Sequence, residues 1–245
     1  MTAPVPRGPL GRLPFREIVV GDTETTGLCP EGLSRGLPSG DPHGPDRVCS
    51  AAFLLLCRAR GVWEAAGSLS FSCDPGRPVG ERAAAVNGLH WSGGGVPAPP
   101  GRADLSGLPS FADLAPRMLG FLGGRPLAFH HAAFDAAFLD AELGRAGLPP
   151  LEGSVLCTKK AFCDLRGLGR PDGYVQGTTL NALCDLLRVD RSGRLSDGGE
   201  THGAEVDCRM AASCLGKLDA AGWMLAEDIA SLPHRRPASA PPPPR

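Results

Sequence analysis

Long apolar segments and an export signal are both absent from the sequence. The longest strongly apolar run extends from Cys49 to Cys57, whereas a helix needs about 20 apolar residues to cross a bilayer. The N-terminus, MTAPVPRGPLGRLPFR, is positively charged but has no continuous apolar core, so it does not read as a signal peptide. We therefore expect a cytoplasmic protein without a membrane partner.

Cysteine pairs at metal-binding spacing and an excess of one charge sign are also absent. The nine cysteines are an odd number and include no C-x-x-C pair, which favours free thiols in a reducing compartment over disulfides or a structural zinc site. The 25 cationic and 26 anionic residues give a net charge of -1. This balance excludes a uniformly basic nucleic-acid-binding surface but leaves room for a local basic groove.

The length and composition of the chain fit one medium α/β domain or two very small ones. The chain has 245 residues, of which 42% are hydrophobic, together with 34 glycines and 25 prolines, so we expect a real core but long loops and tails. There is no internal repeat. We predict a disordered lead-in over residues 1–16, one domain over residues 17–220 and a flexible proline-rich tail over residues 221–245.

The predicted elements follow the order of three strands, then helices, then strand–helix units. A hairpin is expected at Arg60-Gly61, and two Gly/Pro-rich loops are expected at Cys29–Asp46 and Gly93–Gly107. Val155–Phe162 is ambiguous between the end of a strand and the start of a helix. The predicted strands are Glu17–Gly21, Val48–Arg58, Val62–Phe71 and Pro126–His130, and the predicted helices are Glu81–Val86, Phe111–Leu122, Ala132–Arg145, Thr179–Leu187 and Ala204–Leu218.

Two acids, Asp22 and Glu24, follow the first predicted strand in the segment GDTETTG. Because side chains alternate along a strand, these acids share a face with Ile18 and Val20 and continue an otherwise apolar row. Two like charges side by side are unfavourable unless a cation lies between them. The segment therefore indicates either a strand end at the surface that runs into a turn, or a cation site.

A third acid, Asp135, lies in the first turn or so of a predicted helix. Pairing with the helix dipole would explain an acid at this place. However, Asp135 is spaced i, i+3 and i+4 with Phe138 and Leu139, so it borders the apolar stripe of the helix. Both interpretations remain open for this residue.

A fourth acid, Asp207, shares a helical face with Ala211, Cys214 and Leu218. A carboxylate on a buried face needs a partner, which could be an arginine or a metal ion. His202 lies five residues earlier, at the junction of loop and helix, where a solvated loop histidine is the simpler interpretation.

The combination of these residues indicates more than each one does alone. Magnesium and manganese prefer carboxylate oxygens, and two such ions about 4 Å apart need several acids that converge from separate elements. Two divalent ions would cancel the charge of the four carboxylates, and a nearby neutral histidine could take a proton from an attacking water.

At these residues the sequence resembles the DEDDh (DnaQ-like) 3′→5′ exonucleases, and among them the proofreading epsilon subunits of bacterial DNA polymerase III. The matching segments are DTETTG (22–27), HHAAFD (130–135), LNALCDLLRVDRSGR (180–194) and HGAEVD (202–207). The resemblance covers roughly residues 16–220. It implies an α/β, ribonuclease H-like fold, with a mixed five-stranded sheet flanked by helices, which agrees with the predicted order of strands.

The resemblance also implies a role for each acid. Asp22 would bridge two metal ions, Mg²⁺ or Mn²⁺, and Glu24 and Asp207 would complete the first site. Asp135 would hold the second ion, partly through water. His202 would be the general base for the nucleophilic water.

The resemblance also implies substrate contacts at residues next to these acids in the sequence. Thr25, Thr26 and Leu28 follow the first motif, where family members grip the terminal nucleotide with a backbone turn and hydroxyls; the alternative is an ordinary turn at Thr25-Thr26-Gly27. Phe134 would lie beside the substrate, or else in the core.

The sequence also departs from the family pattern. His131 stands where the family usually has Asn, in the pocket near the second metal, and Asn87-Gly88 stands where His-Gly is common. Additional loops at 29–46, 92–107 and Ser196–Glu200 could reshape the groove or dock a partner.

The predicted function is a metal-dependent 3′→5′ exonuclease that releases nucleoside 5′-monophosphates from single-stranded or frayed DNA 3′ ends, in proofreading beside a DNA polymerase subunit or in DNA repair. The alternatives are an RNA-trimming exoribonuclease and an inactive scaffold subunit of a polymerase assembly. A tethering role for the basic proline-rich tail could coexist with the first prediction.

Overall fold

A computed structural model of the chain describes residues 11–30, 45–170, 175–196, 199–200 and 202–235. The strands are β1 (Glu17–Thr25), β2 (Val48–Ala59), β3 (Val62–Ser72), β4 (Leu89–His90), β5 (Ala103–Asp104), β6 (Leu127–Phe129), β7 (Ser154–Cys157), β8 (Leu195–Ser196), β9 (Gly199–Glu200) and β10 (Ala226–Asp228). The helices are α1 (Glu81–Asn87), α2 (Phe111–Leu122), α3 (Ala132–Arg145), α4 (Thr158–Leu165), α5 (Leu180–Leu187) and α6 (Ala204–Ala220).

One sheet organises the fold, and β1 lies inside it. The strand order is β10-β7-β6-β1-β2-β3. Neighbouring strands are antiparallel at β1/β2, β2/β3 and β7/β10 and parallel at β1/β6 and β6/β7. The hairpin between β2 and β3 turns at Arg60 and Gly61, which have φ values of 51° and 81°, as a tight hairpin turn requires. The predicted hairpin and the mixed sheet flanked by helices are confirmed.

Each face of the sheet is covered by its own apolar core. Val19 of β1 packs with residues of α2 and α3, such as Phe111 and Phe138, on one face. Ile18 and Val20 pack with residues of α5 and α6, such as Leu183 and Leu215, on the other face. Because strand side chains alternate, the residues of β1 that follow Val20 are directed to these two faces in turn.

The sheet has six strands rather than the five predicted, because β10 comes from the segment assigned to the flexible tail. β10 pairs with β7, and Ile229 and Leu232 behind it are buried in the core. Asp140 of α3 then holds the following turn through His234 and Arg235. A three-residue strand has no periodicity of its own, so the sequence pattern could not reveal it.

The predicted lead-in also packs in part onto the domain. Leu13 is buried, and its backbone N–H donates to Asp219 of α6 at 2.7 Å. Residues 1–10 and 236–245, where the rest of the lead-in and tail predictions fall, lie outside the described residues.

The ambiguous segment at Val155–Phe162 contains both elements, since β7 ends at Cys157 and α4 begins at Thr158. The predicted loop at Gly93–Gly107 contains β5, which pairs in parallel with β4. Most of the loop at Cys29–Asp46 (residues 31–44) and residues 197–198 lie outside the described residues.

All nine cysteines are free thiols, as expected. Within the described residues, none of the helices combines the length and apolar character that crossing a bilayer requires.

Candidate active site

Three acids from two elements meet at the end of β1. Asp22 and Glu24 lie on the face of β1 that α6 covers, and Asp207 lies in the first turn of α6. Each offers one carboxylate oxygen, and these three oxygens lie within 4.8 Å of one another. The Cys208 thiol donates to the Val20 carbonyl at 3.1 Å, which fixes the first turn of α6 against β1.

The fourth acid, Asp135, reaches the same strand from the opposite face. It lies in the first turn of α3 and is buried. Its Oδ1 accepts hydrogen bonds from the Thr23 backbone N–H at 3.2 Å and from the Thr23 hydroxyl at 2.9 Å. Asp135 is therefore close enough to act electrostatically on Asp22 but lies outside the group of three converging oxygens.

Asp207 is held by two cationic or ionisable side chains. Arg194 donates from Nε to Oδ1 at 2.5 Å and from Nη2 to Oδ2. His202 Nδ1 lies 3.1 Å from the same Oδ2. The sequence leaves either an arginine or a metal ion as the partner of Asp207, and the structure shows the arginine. The nearby carboxylates of Asp22 and Glu24 also allow a metal ion to bind Asp207.

Burial and mutual repulsion raise the pKa of most acids in this group. Burial raises the pKa of Asp22 well above its usual value, and the charges of Asp135 and Asp207 add to the effect. Burial, followed by the charge of Asp207, raises the pKa of Glu24 to about 7. Burial raises the pKa of Asp135 to about 7 against the opposing hydrogen bonds from Thr23. Burial also works against the ionised form of Asp207, but the hydrogen bonds from His202 and Arg194 outweigh it, and its pKa is lowered.

This donor set fits a divalent cation of the magnesium or manganese type. Carboxylate oxygens are the ligands that these hard ions prefer. Burial is the main cause of the raised pKa of Asp22 and Glu24, and repulsion between the carboxylates adds to it. A bound cation would favour the ionised forms.

A mostly apolar cleft of about 690 Å³ adjoins Glu24. It lies between the end of β1 with its following turn, helix α1, and Phe134 of α3. Thr25, Thr26, Leu28 and Phe134, four of the five predicted substrate contacts, line this cleft. Leu28 is 77% exposed, so its side chain is accessible at the cleft.

The two threonine hydroxyls at the turn each donate a hydrogen bond within the protein. The Thr25 hydroxyl donates to the Gly27 carbonyl at 2.6 Å, and the Thr26 hydroxyl donates to Asp46 at 2.9 Å. A Cβ at Gly27 would collide with Asp46, so only glycine fits this turn. These bonds are compatible with the alternative of an ordinary turn, and the contacts of both threonines to a nucleotide stay a prediction.

The two residues that depart from the family pattern have different surroundings. Asn87 is buried in the wall of the cleft, where it donates to the Thr25 carbonyl at 3.3 Å and accepts from the Leu89 backbone N–H at 3.0 Å. His131 lies just before α3, and its ring stacks on Phe134 with 6.0 Å between centroids. Asn87 thus fixes α1 to β1, and His131 supports the aromatic wall of the cleft.

The sequence did not assign a role to Arg194 or Asn181, although both lie within the matching segment 180–194. Arg194 is 2% exposed and also donates from Nη1 to Asn181 Oδ1. The signal that could have identified it was the unpaired acid on the apolar face of α6, since a buried carboxylate requires a partner.

Curated relatives of this chain carry names of replication proteins. A "DNA polymerase III subunit epsilon-like protein" of Rhodobacter capsulatus is 29% identical over 184 residues, which are 74% of this chain and 21% of that protein. A "DNA polymerase III subunit epsilon" of Pasteurella multocida is 28% identical over 199 residues, which are 81% of this chain and 66% of that protein. The chain thus spans between a fifth and two thirds of the length of these relatives.

Solved structures share the fold at low sequence identity. "Exonuclease X in complex with 5′ overhanging duplex DNA" is 21% identical, with a TM-score of 0.53 over 88% of this chain and 98% of that chain. The nuclease domain of 3′hExo, described as a DEDDh family member bound to rAMP, is 14% identical, with a TM-score of 0.59 over 89% of this chain and 98% of that chain. These similarities confirm the ribonuclease H-like fold.

The family model described as "RNase_T: Exonuclease" matches residues 19–215, which include every acid of the site. The predicted resemblance to DnaQ-like exonucleases is confirmed, and the chain belongs to this exonuclease family.

Proposed function

We propose that this protein is a divalent-metal-dependent 3′→5′ exonuclease that hydrolyses the terminal phosphodiester bond of DNA and releases nucleoside 5′-monophosphates. The proposal rests on Asp22, Glu24 and Asp207, whose carboxylate oxygens lie within 4.8 Å of one another. The cleft beside them is open and can admit the end of a nucleic-acid strand. Membership of an exonuclease family supports the reaction class. The relatives named as polymerase III epsilon subunits support DNA as the substrate and a polymerase as a partner in proofreading.

The acids divide between two cation positions in this proposal. Asp22, Glu24 and Asp207 would hold one Mg²⁺ or Mn²⁺, and Asp22 with Asp135 would hold a second. Bound divalent cations supply positive charge to the reacting phosphate and lower the pKa of a bound water.

His202 takes the role of general base. Its Nδ1 faces Asp207 Oδ2 at 3.1 Å, so a proton on Nδ1 would leave the lone pair of Nε2 for the proton of the attacking water. Its side chain is 37% exposed, which leaves the ring within reach of substrate. Asp207 orients the ring, as a carboxylate does for histidine in other hydrolytic sites.

The cleft holds the terminal nucleotide. Leu28 and Phe134 offer apolar surface to the base and sugar, since stacking and apolar contacts tolerate any base. Arg82 lines the same cleft and is exposed, so it can contact a phosphate. This apolar surface suits an enzyme that removes all four nucleotides.

The test is degradation of a labelled oligonucleotide by purified protein with Mg²⁺ or Mn²⁺. A 5′ label should give a ladder of shortening products, and a 3′ label should give labelled mononucleotide from the start. Asp22→Ala is the control for a contaminating nuclease. Wild-type degradation no faster than that of the control would refute the proposal and favour an inactive scaffold.

A matched set of single-stranded DNA, duplex DNA with a mispaired 3′ end and RNA of the same sequence then determines the substrate. We expect the fastest hydrolysis on single-stranded DNA and on the mispaired end. Faster hydrolysis of RNA would instead establish an exoribonuclease.

A further inference from the structure

Asp207 is the most heavily engaged carboxylate of the site. Its two oxygens receive three hydrogen-bonding groups: Arg194 Nε on Oδ1, and Arg194 Nη2 with His202 Nδ1 on Oδ2. A carboxylate offers about four acceptor positions. Within the described residues, this leaves one acceptor position, and it lies on Oδ1.

Arg194 is itself fixed from three directions. It belongs to the 3₁₀ turn Ser192–Arg194 and is 2% exposed. Its Nη1 donates to Asn181 on α5, and a Cβ at the neighbouring Gly193 would already lie 3.3 Å from Val206 of α6. The guanidinium therefore joins α5, the turn and α6, and it is not free to follow Asp207 to a new position.

The guanidinium is planar, and its two donors to one carboxylate fix the plane of that carboxylate. Asp22 and Glu24 have no such clamp among the described residues. Their mutual repulsion with Asp207 would rotate a free Asp207 side chain away from the group. The ion pair opposes this rotation, and the positive charge of Arg194 offsets part of the rise in the pKa of Asp22 and Glu24.

We propose that Arg194 is the positioning residue of the metal site: it fixes the plane of the Asp207 carboxylate, so that the remaining acceptor position on Oδ1 is kept for a divalent cation shared with Asp22 and Glu24. This inference rests on the proposed function. It assigns the orienting role to the two parallel N–H donors of the guanidinium, Nε and Nη2, and not to its charge alone.

The test compares Mn²⁺ binding by isothermal titration calorimetry in the wild type and in Arg194→Lys, which keeps the positive charge but loses the planar pair of N–H donors. Residues that orient metal ligands contribute about 10–100-fold to metal affinity, and we expect a loss of this size. Arg209→Lys is the matched control, because Arg209 lies on the same helix as Asp207 in an exposed ion pair with Glu205. The control should bind Mn²⁺ like the wild type.

Asn181→Ala provides a second variant in case Arg194→Lys does not fold. It keeps the ion pair and removes the hydrogen bond between Arg194 and α5, and we expect Mn²⁺ affinity to fall several-fold. Unchanged affinity in the folded Arg194→Lys variant, or in Asn181→Ala if that is the one that folds, would overturn the inference. Tighter binding would also overturn it, since the arginine would then be a competitor of the cation. A wild-type protein that binds no Mn²⁺ would instead refute the proposed function itself.

Discussion

Replacing Asp135 by asparagine should make the metal-free protein more stable. Asp135 is 4% exposed, and burial raises its pKa from 3.8 to about 7. Asparagine has nearly the same shape, and its side-chain oxygen can still accept the two hydrogen bonds from Thr23. The substitution therefore removes a buried negative charge while it keeps the local packing.

The size of the effect follows from the pKa difference between the folded and unfolded states. One pKa unit corresponds to about 1.36 kcal/mol, so an ionised Asp135 reduces the free energy of unfolding by at most about 4 kcal/mol. Burial of an unpaired amide N–H₂ group costs about 1–3 kcal/mol, which leaves a net gain of about 2 kcal/mol. For a chain of this size, such a gain corresponds to a rise in Tm of roughly 4–8 °C.

The sign of the pH dependence is fixed by the direction of the shift. Because the folded-state pKa of Asp135 is raised, the folded protein binds this proton more readily than the unfolded chain. Asp135 therefore reduces stability progressively as the pH rises from 3.8 to about 7, and the full reduction is present above that range. The advantage of Asp135→Asn should be complete near pH 8 and should be reversed near about pH 4, where the charge cost is gone but the cost of the buried amide remains.

Thermal melts in EDTA at these two pH values provide the measurement, with Asp140→Asn as the control on the same helix. Burial acts on Asp140 too, but hydrogen bonds from His234 and Arg235 outweigh it and lower its pKa. This carboxylate contributes stability above its unfolded pKa that is lost as the pH falls, so Asp140→Asn should lower Tm at pH 8.

Saturating Mn²⁺ should reverse the order of wild type and Asp135→Asn, because only the wild type keeps the full ligand set and gains stability from binding. An Asp135→Asn variant that melts at or below the wild-type temperature in EDTA near pH 8 would refute the reasoning.

Three further predictions concern catalysis and binding. His202→Ala should slow single-turnover hydrolysis by about 10²–10⁴ while Mn²⁺ affinity stays within a few-fold of wild type; a rate close to wild type would exclude the general base role. Mn²⁺ affinity measured by calorimetry should fall as the pH falls through the pKa of Glu24 at about 7, since a proton then competes with the cation; affinity independent of pH would contradict this coupling. Leu28→Ala should leave Tm unchanged, because the side chain is 77% exposed, but should weaken oligonucleotide binding several-fold in a fluorescence anisotropy titration; equal binding would remove Leu28 from the substrate cleft.

Much of the fold follows from local patterns in the sequence. The apolar row of Ile18 and Val20 predicts a buried strand whose next two same-face residues are Asp22 and Glu24, and the structure places all four on the side of α6. Helix α2 matches its predicted bounds, Phe111–Leu122, because Ser110 and Asp113 form a capping box at its start and Gly123 ends it in a left-handed conformation.

Short elements and contacts between distant segments could not be predicted from local patterns in the sequence. β10 has three residues and exists because β7 offers an unpaired edge, which a sequence pattern cannot express. The motif predicts a ligand contact for Thr26, and only the structure shows that its hydroxyl donates to Asp46, twenty residues away. Such contacts depend on how distant segments pack.

The sequence by itself determined which residue types stand on which face of each element, which drew attention to the four acids, and its motifs carried the resemblance to the family and the role predicted for the histidine. The tertiary structure decided where each acid lies and what it contacts: three converge between β1 and α6, Asp135 approaches from α3 on the opposite face, and Arg194 binds Asp207. The physical reason is that periodicity fixes the direction of a side chain relative to its own strand or helix, whereas the partner of a buried charge is set by the packing of elements that are far apart in the chain.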